Sequence, residues 1–227
     1  MSKHEERTGG ERGGGADSKL SRASGGRFSL YLRHLDGLQR EGTPTVSSSQ
    51  LGEALAITDA QVRKDLAYLG NLGQPGIGYP IGELIRALKS RLGVDRDWKA
   101  VVVGVGNLAR ALLRYRGFEQ QGFRFVALFD ADPAKVGQTV DGLRVLPMGR
   151  MAEAISTAEA ELGVVAVPAA AAQDVCDALV AAGVKGILNF APTVLRVPSG
   201  VSLVAVDLAV QLEQLAFLVH LSQEGGV

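Results

Sequence analysis

Gly104, Gly106 and Ala109 stand at the spacing G-x-G-x-x-[GA], after the apolar run at 100–103 and before the helix-forming Arg110-Ala111-Leu112-Leu113. That spacing suits phosphate binding. The first glycine permits a tight turn, the second lets backbone approach a pyrophosphate, and a small third residue lets a helix pack on a strand. Val105, Asn107 and Leu108 fill the intervening positions and put backbone N–H groups at the helix start, where the partial positive charge favours an anion. Asp130 lies 24 residues after Gly106, close to the ~20 expected of a carboxylate that accepts from ribose hydroxyls. It also repels a 2′-phosphate, so NAD(H) is expected over NADP(H). Lys135 either reaches the adenosine end or stands as a solvated lysine. Pro168 and the run Asn189-Phe190-Ala191-Pro192 follow later strands, where such sheets bind ligands.

Chemistry on that ligand needs a positioned proton donor. Beyond residue 130 the choices are Lys135, Lys185, Cys176 and His220. Tyr31, Tyr68, Tyr79 and Tyr115 all lie earlier, with no Tyr-x-x-x-Lys pair. HExxH, GxSxG and Walker sequences do not occur. Cys176, beside Val175 and Leu179, reads as a small buried hydrophobe. The dinucleotide is expected to be sensed, not consumed.

A second constellation precedes the glycine turn. Val62, Leu66 and Leu69 share one helix stripe, which leaves Gln61, Arg63, Lys64, Asp65 and Tyr68 to face outward. Arg bonds guanine O6/N7, Gln bonds adenine and Lys bonds phosphate, as a major groove requires. Thr45, Ser47, Ser48 and Ser49 are placed to anchor the DNA backbone from the preceding helix start. Tyr79 completes the expected DNA-binding set.

The surrounding elements position these groups. Phe28, Leu32, Leu35 and Leu38 predict a first helix. Ser47 with Gln50, and Thr58 with Gln61, form two capping boxes eleven residues apart. The layout is a helix-turn-helix. Residues 70–79 hold four glycines and one proline, so a small β-wing or tight loop follows. A further helix is predicted at 83–92. Strand-length apolar runs then appear at 100–103, 126–129, 164–167, 187–190 and 201–206, with helices near 107–116, 151–161 and 169–182. Strands buried on both faces with helices between mean a Rossmann-like, doubly wound parallel sheet in an α/β chain.

The expected domains are therefore a disordered tail (1–26), a winged helix-turn-helix domain (27–97), a Rossmann domain (98–206) and a C-terminal helix with tail (207–227). The tail holds seven glycines and too little apolar surface to offset its ordering entropy. The charge of the 227 residues balances at zero, which excludes a histone-like polycation. Within 18–91, however, ten basic side chains face six acidic ones, while from 99 on the counts are ten and twelve. The helical domain is the one suited to a polyanion. One cysteine excludes a disulfide framework and a Cys-rich zinc site; no metal is expected. No apolar run approaches the ~18 residues of a membrane span, and residues 1–26 lack a signal-peptide core, so a soluble cytoplasmic protein without membrane contact is expected.

QVRKDLAYLG at 61–70, G-x-x-G-x-G-Y at 73–79, GVGNLA, FDADPAKVG, AAGVKGILNFAP and VAVDL occur together, in the order and spacing of the Rex family of redox-sensing transcriptional repressors. From about 27 to 222 the chain resembles that family. The resemblance implies a homodimer whose winged helix reads a palindromic operator and whose Rossmann domain binds NADH or NAD+. NADH releases such a protein from DNA, and NAD+ permits binding. It also implies that the helix at 207–222 swaps onto the partner, with Asp207 poised between Arg33 and Tyr115 as a switch. Two positions depart from the family pattern. Gly73-Gln74-Pro75-Gly76 replaces Gly-x-Arg-Gly, leaving 70–82 without Arg or Lys, and Leu208 replaces the usual Phe after the switch Asp. Two rival readings stay open: an NAD-dependent oxidoreductase with a helical appendage, and a DNA-binding regulator that answers to another nucleotide or has lost redox discrimination.

Overall fold

The computed structural model describes residues 22–224 and divides into two compact units, one ending at Gly93 and the other beginning at Val94. Residues 1–21, most of the stretch read as a tail, lie outside the described residues, as do 225–227.

In the first unit the chain runs α1 (Arg22–Arg40), β1 (Thr45–Val46), α2 (Ser48–Leu55), α3 (Asp59–Ala67), β2 (Tyr79–Pro80) and α4 (Ile81–Leu92). Helix α1 starts inside the stretch read as tail and runs through Gly25 and Gly26 despite their poor helix propensity. A tertiary ion pair overrides the propensity: Arg27 is tied to Asp65 on α3, and within α1 it also reaches Ser24 at 3.3 Å. Phe28, Tyr31 and Leu35 bury one face of α1 in a core with Leu51, Val62, Leu66, Leu84 and Leu88. Ser47 and Gln50 close the expected capping box on α2. At α3 only half of the second box forms: Thr58 accepts from the Gln61 N–H, but the Gln61 side chain turns elsewhere. A Cβ at Gly52 would lie 2.5 Å from the Ile57 carbonyl oxygen, so the turn between α2 and α3 closes only over glycine.

The glycine-rich stretch is a wing. β1 and β2 pair antiparallel, and Gln74 bridges Gly78. Its apex, Gln74-Pro75-Gly76-Ile77, has proline at the second place, Gly76 at φ 76° and an Ile77 N–H to Gln74 O bond of 3.1 Å. That is a type II turn, which Pro-Gly presets.

The second unit holds β3 (Trp98–Val103), α5 (Asn107–Arg114), α6 (Gly117–Gln120), β4 (Phe123–Asp130), β5 (Thr139–Val140), β6 (Leu143–Pro147), α7 (Met151–Ala158), β7 (Leu162–Val165), α8 (Ala169–Ala181), β8 (Gly186–Asn189), β9 (Ser202–Ala205) and α9 (Leu208–Glu224). The sheet order is β5-β6-β4-β3-β7-β8-β9. Without β5 this is the 3-2-1-4-5-6 order of the doubly wound dinucleotide fold. β5 corrects the all-parallel expectation, because it pairs antiparallel with β6 across Asp141-Gly142. Both turn residues have positive φ, 47° and 82°, as a type I′ hairpin requires. Side chains alternate across β3. Val101 and Val103 pack toward α7 and α8, and Val102 packs toward α5. Every described side chain of α9 is exposed, although most are apolar. Among the described residues, no helix is long and apolar enough to cross a membrane.

Candidate functional site

The carboxyl ends of β4, β3, β7 and β8 lie side by side, so the sheet gathers the predicted nucleotide-binding positions along one edge. Gly104 leaves β3 at φ 93°, and its N–H bonds the Phe129 carbonyl at 2.8 Å. A Cβ there would fall 2.5 Å from the Ala166 carbonyl oxygen. Gly106 is the opposite case: it precedes α5, and a Cβ would meet nothing within 4 Å. One glycine closes the turn, and the other keeps the space above it clear. No side chain caps α5, so its first N–H groups point at that space. Ala109 is fully buried beneath the turn, and Leu108 is half-exposed beside it.

Asp130 does more than end β4. One carboxylate oxygen accepts from the Val105 N–H at 2.8 Å and from Lys135 Nζ at 3.0 Å, and the other accepts from the Asp132 N–H at 2.9 Å. Burial pushes this carboxyl up, but the Asp132 and Val105 N–H groups and the Lys135 ammonium together hold it below its ordinary value. It stays ionised and welds the glycine turn to the strand end. Lys135, left open between the adenosine end and a solvated lysine, pairs with Asp130 at 3.0 Å.

Pro168 precedes α8 at the end of β7. Asn189 sits where expected but is not free to touch a ligand. Its Oδ1 accepts from the Ala191 N–H at 2.9 Å, and its Nδ2 donates to the Ala191 and Thr193 carbonyls at 3.1 and 3.0 Å. The buried amide shapes the loop, and exposed Pro192 forms its outer surface. Phe190 is strand-bonded to Val165 at 2.9 Å and packs on the core beneath α5, while Ala191 is buried.

Cys176 is fully buried, and burial pushes its thiol up, as an inert core cysteine requires. Among the described residues, no cluster of His, Cys, Asp or Glu could hold a metal ion.

Of the switch set, Arg33 is an exposed residue of α1. Asp207 follows β9 at the carboxyl edge, where its Oδ1 accepts from the Ala209 and Val210 N–H groups at the start of α9. Tyr115 lies at the far end of α5, edge-on to Phe118, which packs edge-on to Phe125 near the start of β4. One chain does not bring Tyr115 and Asp207 together.

In the first unit, α3 presents Arg63 and Lys64 to solvent as expected, and so does Tyr68 at its C-cap. Arg63 pairs with Asp59 at 2.6 Å and reaches the Ser48 hydroxyl at 3.4 Å. That exposed pair contributes little to stability and exchanges readily for a stronger anion. Ser48 and Ser49 open α2, and Thr45 lies on β1. Ser47 spends its oxygen on the cap but keeps its hydroxyl proton to donate. Tyr79 is half-buried in β2 and packs on the core.

Two expectations fail on this helix. Asp65 does not face outward; it is 1% exposed. It accepts from Arg27 Nε and Nη2 at 2.5 and 2.7 Å, from the Tyr31 hydroxyl at 2.9 Å and from Gln61 Nε2 at 2.8 Å. Gln61 is half-buried and gives one amide proton to that carboxylate. Asp65 lies three residues after Val62, on the inner stripe. Its main partner sits 38 residues away, beyond the reach of local spacing.

Two family models match the two units: "CoA binding domain" over residues 95–193 and "Putative DNA-binding protein N-terminus" over 19–67. A relative from Carboxydothermus hydrogenoformans, a redox-sensing transcriptional repressor Rex, is 49% identical over 199 residues, 88% of this chain and 96% of its own length. Among solved structures, the Rex-family repressor RSP in complex with beta-NAD+ and operator DNA is similar, with a TM-score of 0.86 at 32% identity over 91% of this chain and 95% of that one. RSP in complex with beta-NADH aligns with a TM-score of 0.82 at 30% identity, over 91% and 97% of the two chains.

Proposed function

The chain belongs to the Rex family of redox-sensing transcriptional repressors, and from that premise we propose that it is a homodimeric repressor in the cytoplasm. It holds a palindromic operator when NAD+ fills its crevice and lets go when NADH does. The observation that carries this reading is the union, in one chain, of a capped helix-turn-helix and a glycine turn locked by Asp130 at the sheet's switch point.

The backbone from Gly104 to Ala109 receives the pyrophosphate over the open face of Gly106. Asp130 has one free lone-pair site for a ribose hydroxyl and repels a 2′-phosphate. Lys135 screens Asp130 until ribose arrives, and Pro168 and the Asn189–Pro192 loop border the nicotinamide end. The bound dinucleotide supplies the redox signal, since its two forms differ by a hydride and a positive charge. Asp130 and Asn189 both bond backbone groups and shape the loops at this edge, which favours holding a ligand over transforming it.

Helix α9 is apolar around most of its circumference, and such a helix belongs in an interior. In this reading a second copy covers it, and Asp207 meets Tyr115 and Arg33 across the pair. Moving the dimer from 1:99 to 99:1 between DNA-holding and released forms requires about 5.5 kcal/mol of differential affinity, which two bound dinucleotides share. On DNA, Arg63, Lys64, Gln61 and Tyr68 enter the major groove, and the serines of α2 with Thr45 and Tyr79 take the backbone. The wing's charge-free apex leaves phosphate neutralisation to the two helices.

A gel shift on a palindromic operator library, with half-sites spaced by about one helical turn or a multiple, tests the reading. NADH should release the DNA and NAD+ should not. Equal behaviour with both nucleotides overturns redox sensing, and steady turnover of NADH with a small carbonyl would favour an oxidoreductase instead.

A further inference from the structure

Among the described residues of the first unit, Asp65 is the one buried carboxylate. It is also saturated. Oδ2 accepts from Arg27 Nε and Tyr31 OH, and Oδ1 accepts from Arg27 Nη2 and Gln61 Nε2. Two oxygens offer about four lone-pair sites, and all four are used. Arg27 binds as a two-pronged fork, which fixes the carboxylate plane as well as its position. Burial pushes the carboxyl up, but the bonds from Arg27, Tyr31 and Gln61 hold it below its ordinary value, so it remains an acceptor without a proton.

A side-chain amide is ambiguous by itself, because either end can face either way. A carboxylate removes the ambiguity: it only accepts, so an amide beside it must turn its NH2 inward. Gln61 is the third residue of α3, in the turn that a groove-docking helix presents to base edges. With Nε2 held at 2.8 Å, its outward groups are the carbonyl oxygen and one remaining N–H. That pair matches adenine, which offers an N6 amino donor and an N7 acceptor. An amide free to turn over could equally offer its NH2 to the acceptors of guanine or thymine.

We propose that Asp65, held by Arg27 and Tyr31, is a positioning residue for base recognition, locking the Gln61 amide in the orientation that reads adenine. This rests on α3 being the DNA-reading helix.

Asp65→Asn provides the test at nearly constant volume. The Asn oxygen stays with Arg27 Nε and Tyr31, at the loss of the Arg27 Nη2 bond, and its NH2 then faces Gln61, which must turn its own oxygen inward and its NH2 outward. Binding is measured by fluorescence anisotropy against operators substituted at each half-site position. Wild type should prefer A·T at one position by about ten- to a hundredfold. Asp65→Asn should move the preference at that position alone toward a base pair with outward acceptors. Gln61→Ala should abolish it and make the Asp65 change silent there. A uniform loss across all positions with an unchanged profile overturns the proposal and leaves Asp65 a structural residue. If Asp65→Asn does not fold, side-chain amide exchange in wild type decides: one Gln61 amide proton protected supports the lock, and two equally exchanging protons refute it. Failure of wild type to bind any duplex would instead overturn the DNA reading, whatever the exchange result.

Discussion

Replacing Asp130 with Asn removes a charge and one acceptor while keeping the shape. The native carboxylate receives three hydrogen bonds, at 2.8, 2.9 and 3.0 Å. Asn has one oxygen. Its better choice is to serve Val105 and Lys135, and its NH2 then confronts the Asp132 N–H donor to donor. An unmade bond of this kind costs about 1–3 kcal/mol, and reducing the Val105 bond from charged to neutral removes about 1 kcal/mol more. The Lys135 side chain is 34% exposed and rehydrates, so it adds little. The sum is about 2–4 kcal/mol, or roughly 4–16 °C in melting temperature for a chain of this size. Thermal melts of both proteins from about pH 3 to 7 are the assay, with NADH fluorescence titration alongside. The folded-state pKa of Asp130 is depressed, so its contribution is present above the unfolded value of about 3.9 and is lost as pH falls through the folded value. The gap between the two melting curves should thus be full near neutrality and close in acid, and NADH affinity should fall at least tenfold. Melting within about 1 °C of wild type at pH 7, or a gap that persists unchanged in acid, refutes the idea that this carboxylate organises the turn.

Gly104→Ala forces a side chain onto φ 93° and into the Ala166 carbonyl; strain alone costs about 1–3 kcal/mol, and urea unfolding with NADH titration should show both stability and binding reduced. Asp65→Ala leaves Arg27, Tyr31 and Gln61 without their acceptor and should cost about 3 kcal/mol, the low end for a broken buried pair because Arg27 is 26% exposed. The depressed Asp65 pKa makes that difference complete near neutral pH and shrinks it as pH falls through the folded value, where the ionic part is lost, which urea midpoints measured against pH will report. Truncation after Val206 removes the apolar α9; light scattering should then give the mass of one chain where the full chain gives two, and an unchanged mass would remove α9 from the dimer contact.

What the sequence discloses here follows how local each feature is. The glycine turn, Asp130 and the Ser47 cap are readable because each is written within a few residues and the backbone geometry leaves little choice. The β5–β6 hairpin was also legible: Val140-Asp141-Gly142-Leu143 is a strong two-residue turn signal, obscured only because its short strands lack a long apolar run. The Asp65 cluster was not. The charge marks it as a surface residue, and only its place three residues after Val62 hinted otherwise, since the guanidinium that makes burial tolerable arrives from another helix. The early start of α1 belongs to the same effect. Two glycines argue against helix, and a bond formed 38 residues downstream outweighs them. The task of the Asn189 amide was not legible, because a motif names a residue without saying which way its amide turns.

The way Asn189 is held also bears on how the protein ages. Asparagine degrades to aspartate when the backbone nitrogen of the next residue attacks the side-chain amide carbon. Here that nitrogen belongs to Phe190 and is engaged with the Val165 carbonyl at 2.9 Å, while the amide itself is pinned by three bonds. The attack would require unzipping the end of the parallel sheet. The residue whose conversion would set a carboxylate against two carbonyl oxygens is therefore shielded by the loop it builds, and chemical wear should begin at more exposed amides first.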